Sequence, residues 1–284
     1  MLARPIEQVI SDSRVSSNTI VLGRIDESFY QAAAAVVVNI LNRLGHAIKV
    51  IDGSHTEVYN AVGEGNVDLC VAFWLPEGHA QVWKRLQEHV EEVSTLYSGA
   101  RFFWALPEYV PVEVVSSIED LAKPEVADRM NKTLRGLSLD TTITTASMKM
   151  IKEYGLDRQG YELIPGSFDD WKASLIQAEA SQQWSIIPLW QPYYFNQLYR
   201  LRPLDEPKNL LGGLNRVVLA AHRGVREQLP KKTLESLARM RLDIAAITAM
   251  DYAINMDGKT PEEAAADWIS NHAALVNTWL VDVI

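Results

Sequence analysis

The chain is predicted to be an α/β protein. Short β-branched and apolar runs alternate with helical segments from Ile20 to Ala221, and a helical tail follows. Glycine and proline punctuate the changes of element, as at Gly45, Pro203 and Pro207.

Ile20 to Leu22 is the first strand. After Gly23, the residues Asp26, Glu27 and Ser28 can cap a helix from Phe29 to Leu44 that stops at Gly45. Ala47 to Ile51 is the next strand, Thr56 to Glu64 a helix, and Val67 to Phe73 a third, buried strand. Arg101 to Leu106 runs as a strand into Pro107, and Ile118-Glu119-Asp120-Leu121 starts a helix after a loop. The middle of the chain repeats the alternation, with strands at Leu134 to Leu139, Tyr161 to Ile164 and Ser185 to Leu189 and helices at Ala146 to Tyr154 and Asp169 to Ala180. Val217 to Ala221 is another strand, and Thr260-Pro261-Glu262-Glu263 is a capped helix start in the tail.

The 284 residues suffice for two lobes of ordinary domain size or one large α/β unit. A formal net charge of −9 argues against nucleic acid or an anionic membrane surface as partner, since binding to phosphate relies on clustered Lys and Arg. The single cysteine, Cys70, lies in an apolar run, so neither a disulfide framework nor a cysteine metal cluster can form. The longest apolar stretch, Ala32 to Leu41, is interrupted by Asn39 and is short for a membrane helix. Met1 to Ser17 carry Arg, Glu and Asp where a secretory signal has an apolar core, so either a signal has been removed or the protein stays in the cytoplasm.

No sequence motif for chemistry is present. The six histidines lack the close spacing of a helical zinc site, and there is no nucleophile elbow, phosphate loop or dinucleotide fingerprint. Asp169 and Asp170 fall where a helix begins and carboxylates favour the dipole. No catalytic residue, metal or cofactor is assigned.

In a parallel sheet, ligands sit at the carboxyl ends of strands. Two of the eight tryptophans fall there in matched contexts, Trp74-Leu75-Pro76 and Trp190-Gln191-Pro192. An indole face attracts a cation through its quadrupole, and aromatic cages recur where a quaternary ammonium is held. Trp171, at a helix start after Gly166-Ser167, is a further crevice candidate, while Trp83, Trp184, Trp268 and Trp279 read as core and Trp104 as core or hinge.

These residues resemble the substrate-binding proteins of ABC-type glycine betaine and choline importers, the OpuAC-like family. The resemblance runs through Asp26, Asp68 to Trp74-Leu75-Pro76 and His79, Pro107-Glu108-Tyr109, Ser117-Ile118-Glu119-Asp120-Leu121 and Tyr154-Gly155-Leu156. It continues in Trp190-x-Pro192 with Tyr193-Tyr194-Phe195, Leu204-Asp205-Glu206-Pro207-Lys208, Gly212-Gly213, Pro261-Glu262-Glu263-Ala264-Ala265 and Asp267-Trp268-Ile269.

The resemblance implies a type II periplasmic-binding-protein-like fold of two α/β lobes with a hinge and a central ligand cleft. Residues 1–105 plus 206–284 would form a discontinuous first lobe and 106–205 the second. Trp74 and Trp190 would be cage walls for a quaternary ammonium or betaine-type ligand. A monomeric, non-enzymatic protein, periplasmic or otherwise extracytoplasmic, would deliver this ligand to an ABC permease.

Two departures from the family bear on the ligand. Tyr193 stands where the family often has histidine, and Asp140-Thr141-Thr142 replaces a Pro-Gly-rich turn that offers backbone donors to a carboxylate. Asp26, Glu27 and Asp140 then either cap the helices after their loops or face the ligand and favour a cation such as choline over betaine. Two other classes stay open: a cytoplasmic sensor using the same cleft, and an enzyme on this scaffold.

Overall fold

A computed structural model describes residues 19–139 and 141–280. In chain order the first half holds β1 (Thr19–Ile25), α1 (Ser28–Arg43), β2 (Ala47–Gly53), α2 (His55–Gly63), β3 (Leu69–Leu75), α3 (Ala80–Leu86) and β4 (Val90–Pro107). A 3-10 turn at Ile118–Ala122 leads to α4 (Pro124–Ala127), β5 (Met130–Asn131), β6 (Thr133–Arg135) and α5 (Thr142–Glu153). After a second 3-10 turn come β7 (Glu162–Ile164), α6 (Phe168–Ser181), β8 (Trp184–Ser185), β9 (Ile187–Gln191), α7 (Phe195–Leu198) and β10 (Leu201–Pro203). The tail comprises β11 (Asn215–His222), α8 (Arg223–Arg226), α9 (Lys231–Arg239), α10 (Ile244–Met256), α11 (Pro261–Asn271) and α12 (Ala273–Asn277).

The described chain divides into two compact units. Residues 19–100, 192–194 and 215–280 form unit 1, and 101–191 with 195–214 form unit 2. β4 passes from one to the other.

In unit 1 the strands run β2-β1-β3-β11-β4. β1 pairs in parallel with both β2 and β3, whereas β11 is antiparallel to β3 and to β4. Every residue of β3 is buried, as its continuous apolar run requires. Helix α1 buries its Ala- and Val-rich length and packs against α10 and α11. Helix α11 starts on the expected capping box, Thr260 with Glu263.

In unit 2 the second half of β4 pairs with β9 and β10, both antiparallel. Two short parallel pairs, β5 with β8 and β6 with β7, lie outside that sheet. The core gathers around Trp104, Leu106, Ile118, Leu121, Met150 and Tyr161. Trp104 is therefore core, with its indole N–H donating to the buried Ser147 hydroxyl at 2.8 Å.

Three expectations need correction. β4 begins at Val90, far ahead of Arg101, because polar residues such as Glu91, Glu92 and Thr95 occupy positions paired with β11. The strand read at Leu134 to Leu139 ends at Arg135. Gly136 follows, where an added Cβ would meet Leu163 at 2.7 Å and Thr144 at 3.0 Å, so the close approach needs glycine. The segment at Ile118 is a 3-10 turn, capped by Ser117 and Asp120.

Candidate functional site

β1 and β3 are parallel neighbours, so their carboxyl ends fall on one edge of the unit 1 sheet. Beyond β1 the chain passes Asp26 and Glu27 into the first turn of α1, where Phe29 and Tyr30 are buried. Trp74 lies inside β3, not after it, and is 1% exposed. Its ring centre is 6.2 Å from Phe29 and 6.5 Å from Tyr30. Tyr193 completes this aromatic group, 6.2 Å from Phe29 and nearly perpendicular to it at 83°.

The Trp74 backbone is fixed on both sides. Its N–H donates to His79 Nδ1 at 2.9 Å, and the Tyr59 hydroxyl lies 3.2 Å from the same nitrogen. Burial, then the neighbouring His55, lowers the His79 pKa to about 3, so the ring stays neutral with Nδ1 as acceptor. The turn after β3 is tied by Asn215, whose carbonyl accepts from Glu77 N at 2.9 Å and Gly78 N at 3.0 Å. A Cβ on Gly78 would meet that of Trp74 at 2.9 Å.

The acids after β1 do not cap α1. Glu27 occupies the N-cap position without a side-chain capping bond, and Asp26 instead accepts from the Gln31 side chain at 3.0 Å. Glu27 keeps 43% of its side-chain surface in solvent and lies 3.7 Å from His55 Nδ1. Its carboxyl is nevertheless pushed up to about 7, first by lost solvation among the surrounding protein and then by the Asp251 and Asp26 carboxylates. Water reaches the group and relieves part of that cost.

Asp251, on α10, is 0% exposed. It accepts from Tyr194 N at 2.7 Å and from Asn255 Nδ2 at 3.0 Å. Burial raises its carboxyl to about 6, against the opposing pull of bonds from Ser28, Tyr194 and Asn255. Burial likewise pushes the Tyr193 phenol up, with help from Tyr194, Asp251 and Glu27.

Unit 2 carries its own aromatic pair. Trp190 lies within β9, opposite Phe102 of β4, and is 6% exposed. Trp171, in the first turn of α6, has its ring centre 5.3 Å from that of Trp190 at 35°. Its indole N–H donates to Pro188 O at 2.9 Å, and Phe195 meets it edge-on at 5.4 Å. Asp170 forms a capping box with Ser167, which is the helix-start role read for the Asp169-Asp170 pair.

Asp140 lies outside the described residues. Thr141 is the N-cap residue of α5, with Oγ1 2.7 Å from Ser138 O and 2.9 Å from the Thr144 hydroxyl, while Thr142 is exposed. Thr144, fully buried, accepts from Leu137 N at 2.8 Å. The predicted residues thus separate into Asp26, Glu27, Trp74 and Tyr193 in unit 1 and Trp171, Trp190, Thr141 and Thr142 in unit 2.

Phe29, Tyr30, Asn215 and Asp251 escaped the sequence reading. Asp251 had a usable signal, as the one charged residue in the apolar helix Ile244–Met256. Phe29 and Tyr30 look in sequence like ordinary helix-start residues. Among the described residues no cluster of three or more His, Cys, Asp or Glu could hold a metal, and no helix is long and apolar enough to cross a membrane.

Residues 18–271 match the model of the substrate-binding domain of ABC-type glycine betaine transport systems, and the chain belongs to that family. Its fold is that of type II periplasmic binding proteins. A curated relative is the glycine betaine/carnitine transport binding protein GbuC of Listeria monocytogenes, 29% identical over 162 residues, 56% of this chain and 52% of the relative. The match thus spans about half the length of that relative.

Lactococcal OpuAC, solved closed with glycine betaine, is 24% identical with a TM-score of 0.81, covering 93% of this chain and 100% of its own. ProX from Borrelia burgdorferi is 20% identical with a TM-score of 0.79, covering 93% and 97%. A choline binding protein of an ABC transporter, solved with choline, is 20% identical with a TM-score of 0.76, covering 92% and 91%. At these identities the likeness establishes the fold.

Proposed function

We propose that this protein is the extracytoplasmic solute-binding component of an ABC importer, taking up a small quaternary ammonium compound and handing it to the permease as a monomer without chemical turnover. The two units are read as the two lobes. The observation that carries the reading is the aromatic group Phe29, Tyr30, Trp74 and Tyr193 beside the carboxyls of Glu27 and Asp251. Electron-rich ring faces attract a cation that has no hydrogen-bond donor on its nitrogen, and the carboxylates add a field that favours positive charge.

The family and the names of its relatives support the same ligand class: glycine betaine, carnitine and choline all carry a trimethylammonium group. Trp74 and Tyr193 of unit 1 and Trp190 and Trp171 of unit 2 are each assigned as ligand-contacting rings, with Thr141 and Thr142 as polar contacts. Asp26 and Glu27 tilt the choice toward a cation without a carboxylate, because acids near a ligand carboxylate repel it. Asp140 shares that assignment.

Calorimetric titration with choline, glycine betaine, carnitine and proline betaine tests the reading. Saturable binding of at least one, with choline competing against betaine, is the expected result. Absence of binding to all four would remove the quaternary ammonium assignment.

A further inference from the structure

Asp251 is an unusual residue for its place. The helix that carries it is otherwise made of apolar and uncharged residues, and the carboxylate is fully buried. Burying a charge without a partner of opposite sign costs several kcal/mol. The groups that hydrogen-bond it are Tyr194 N–H, the Asn255 amide and Ser28, and each is neutral.

Among the described residues, the groups facing it from the packed elements offer no countercharge. Glu27 approaches from the start of α1, and Tyr193 and Tyr194 from residues 192–194. From β4 comes Tyr97, 1% exposed, whose hydroxyl has no hydrogen-bond partner among the described residues and whose ionisation Asp251 opposes. Beyond this ring, His55 of α2 lies against Glu27. A simple latch for the Tyr194 N–H would not need a charge, because the carbonyl of asparagine accepts the same bond. What a carboxylate adds is its field at the ring of Tyr193, which stands in the aromatic group with Phe29.

We propose that Asp251 is the buried countercharge of the quaternary ammonium site in unit 1, a specificity-determining residue that positions Tyr193 and Tyr194 and makes the site prefer permanent cations to zwitterions and neutral isosteres. The inference rests on the proposed ligand class. In this arrangement the ligand supplies the positive charge that the protein interior lacks there, and the free energy of burying Asp251 is partly recovered when the site is filled.

The test compares choline with its uncharged isostere, in which carbon replaces the quaternary nitrogen, on the wild-type protein and on Asp251→Asn. The amide keeps the acceptor for Tyr194 N–H and removes the charge. The ratio of choline affinity to isostere affinity is expected to fall about tenfold or more in the variant, as expected for one close charge at intermediate dielectric. An unchanged ratio, with the wild type binding choline, makes Asp251 a latch and overturns the inference while the proposed function stands. A wild type that binds no quaternary ammonium removes the ligand class, and the inference with it.

If Asp251→Asn does not fold, Glu27→Gln leaves Asp251 as the titrating carboxyl. Choline binding near pH 6, where Asp251 is half-protonated, should then release protons measurable as a buffer-dependent binding enthalpy, and the isostere should release none. Equal proton counts for the two ligands would overturn the proposal.

Discussion

Neutralising Asp251 should change how the ligand-free protein responds to pH. Its carboxyl is raised from 3.8 to about 6, so the folded state holds a proton that the unfolded chain releases earlier. At about 1.4 kcal/mol for each tenfold gain in proton affinity, this amounts to about 3 kcal/mol. The sign follows from linkage: between these two values the native state binds more protons, so stability falls as pH rises. The contribution is fully present below the unfolded value and is lost as pH climbs through about 6.

Asp251→Asn removes that dependence and relieves Glu27, whose carboxyl sits at about 7 partly because of Asp251, so the window extends toward neutrality. Weaker acceptance of the Tyr194 N–H adds a pH-independent cost of about 1 kcal/mol. Urea unfolding at about pH 4 and about pH 8 should therefore show the wild type losing about 3 kcal/mol more than the variant across the interval. Parallel losses in the two proteins would mean that no buried charge is carried at this position.

Trp74→Ala and Trp190→Ala should each weaken choline or betaine binding by about 1 to 3 kcal/mol through lost cation–π attraction and burial; calorimetry with normal circular dichroism checks this, and unchanged affinity in both would take the rings out of the site. Choline affinity should fall about tenfold between about pH 8 and about pH 6 as Glu27 and then Asp251 take up protons, and Glu27→Gln should leave only the part of the fall near about pH 6 that belongs to Asp251. Trp104→Phe deletes the indole N–H that the buried Ser147 hydroxyl accepts, so unit 2 should lose about 1 to 2 kcal/mol in denaturant unfolding with ligand-free protein. Thr260→Ala removes one side of a capping box and should lower stability by about 1 kcal/mol, seen as a lower melting temperature.

Local signals made much of the fold legible. Helix α1 shows its Ala- and Val-rich length and its stop near Gly45, and β3 shows an apolar run too short for a helix. Thr260 and Glu263, three residues apart, announce the start of α11. The matched Trp-x-Pro contexts mark both aromatic groups, although both tryptophans lie inside strands and not beyond them.

Other features depend on partners far along the chain. The first half of β4 is polar enough to read as loop and becomes a strand because β11, more than a hundred residues later, supplies its ladder. Glu27 sits where a cap belongs, yet α1 takes no bond from it, and its raised pKa reflects lost solvation in the folded chain first and then Asp251 from α10. Asp251 in turn meets Tyr194 across 57 residues of sequence. Caps, turns and hydrophobic periods act over a few residues, so the amino-acid order by itself determines them. The protonation of an acid and the partner of a strand depend on what the folded chain brings within a few ångströms, and here only the tertiary structure decided them.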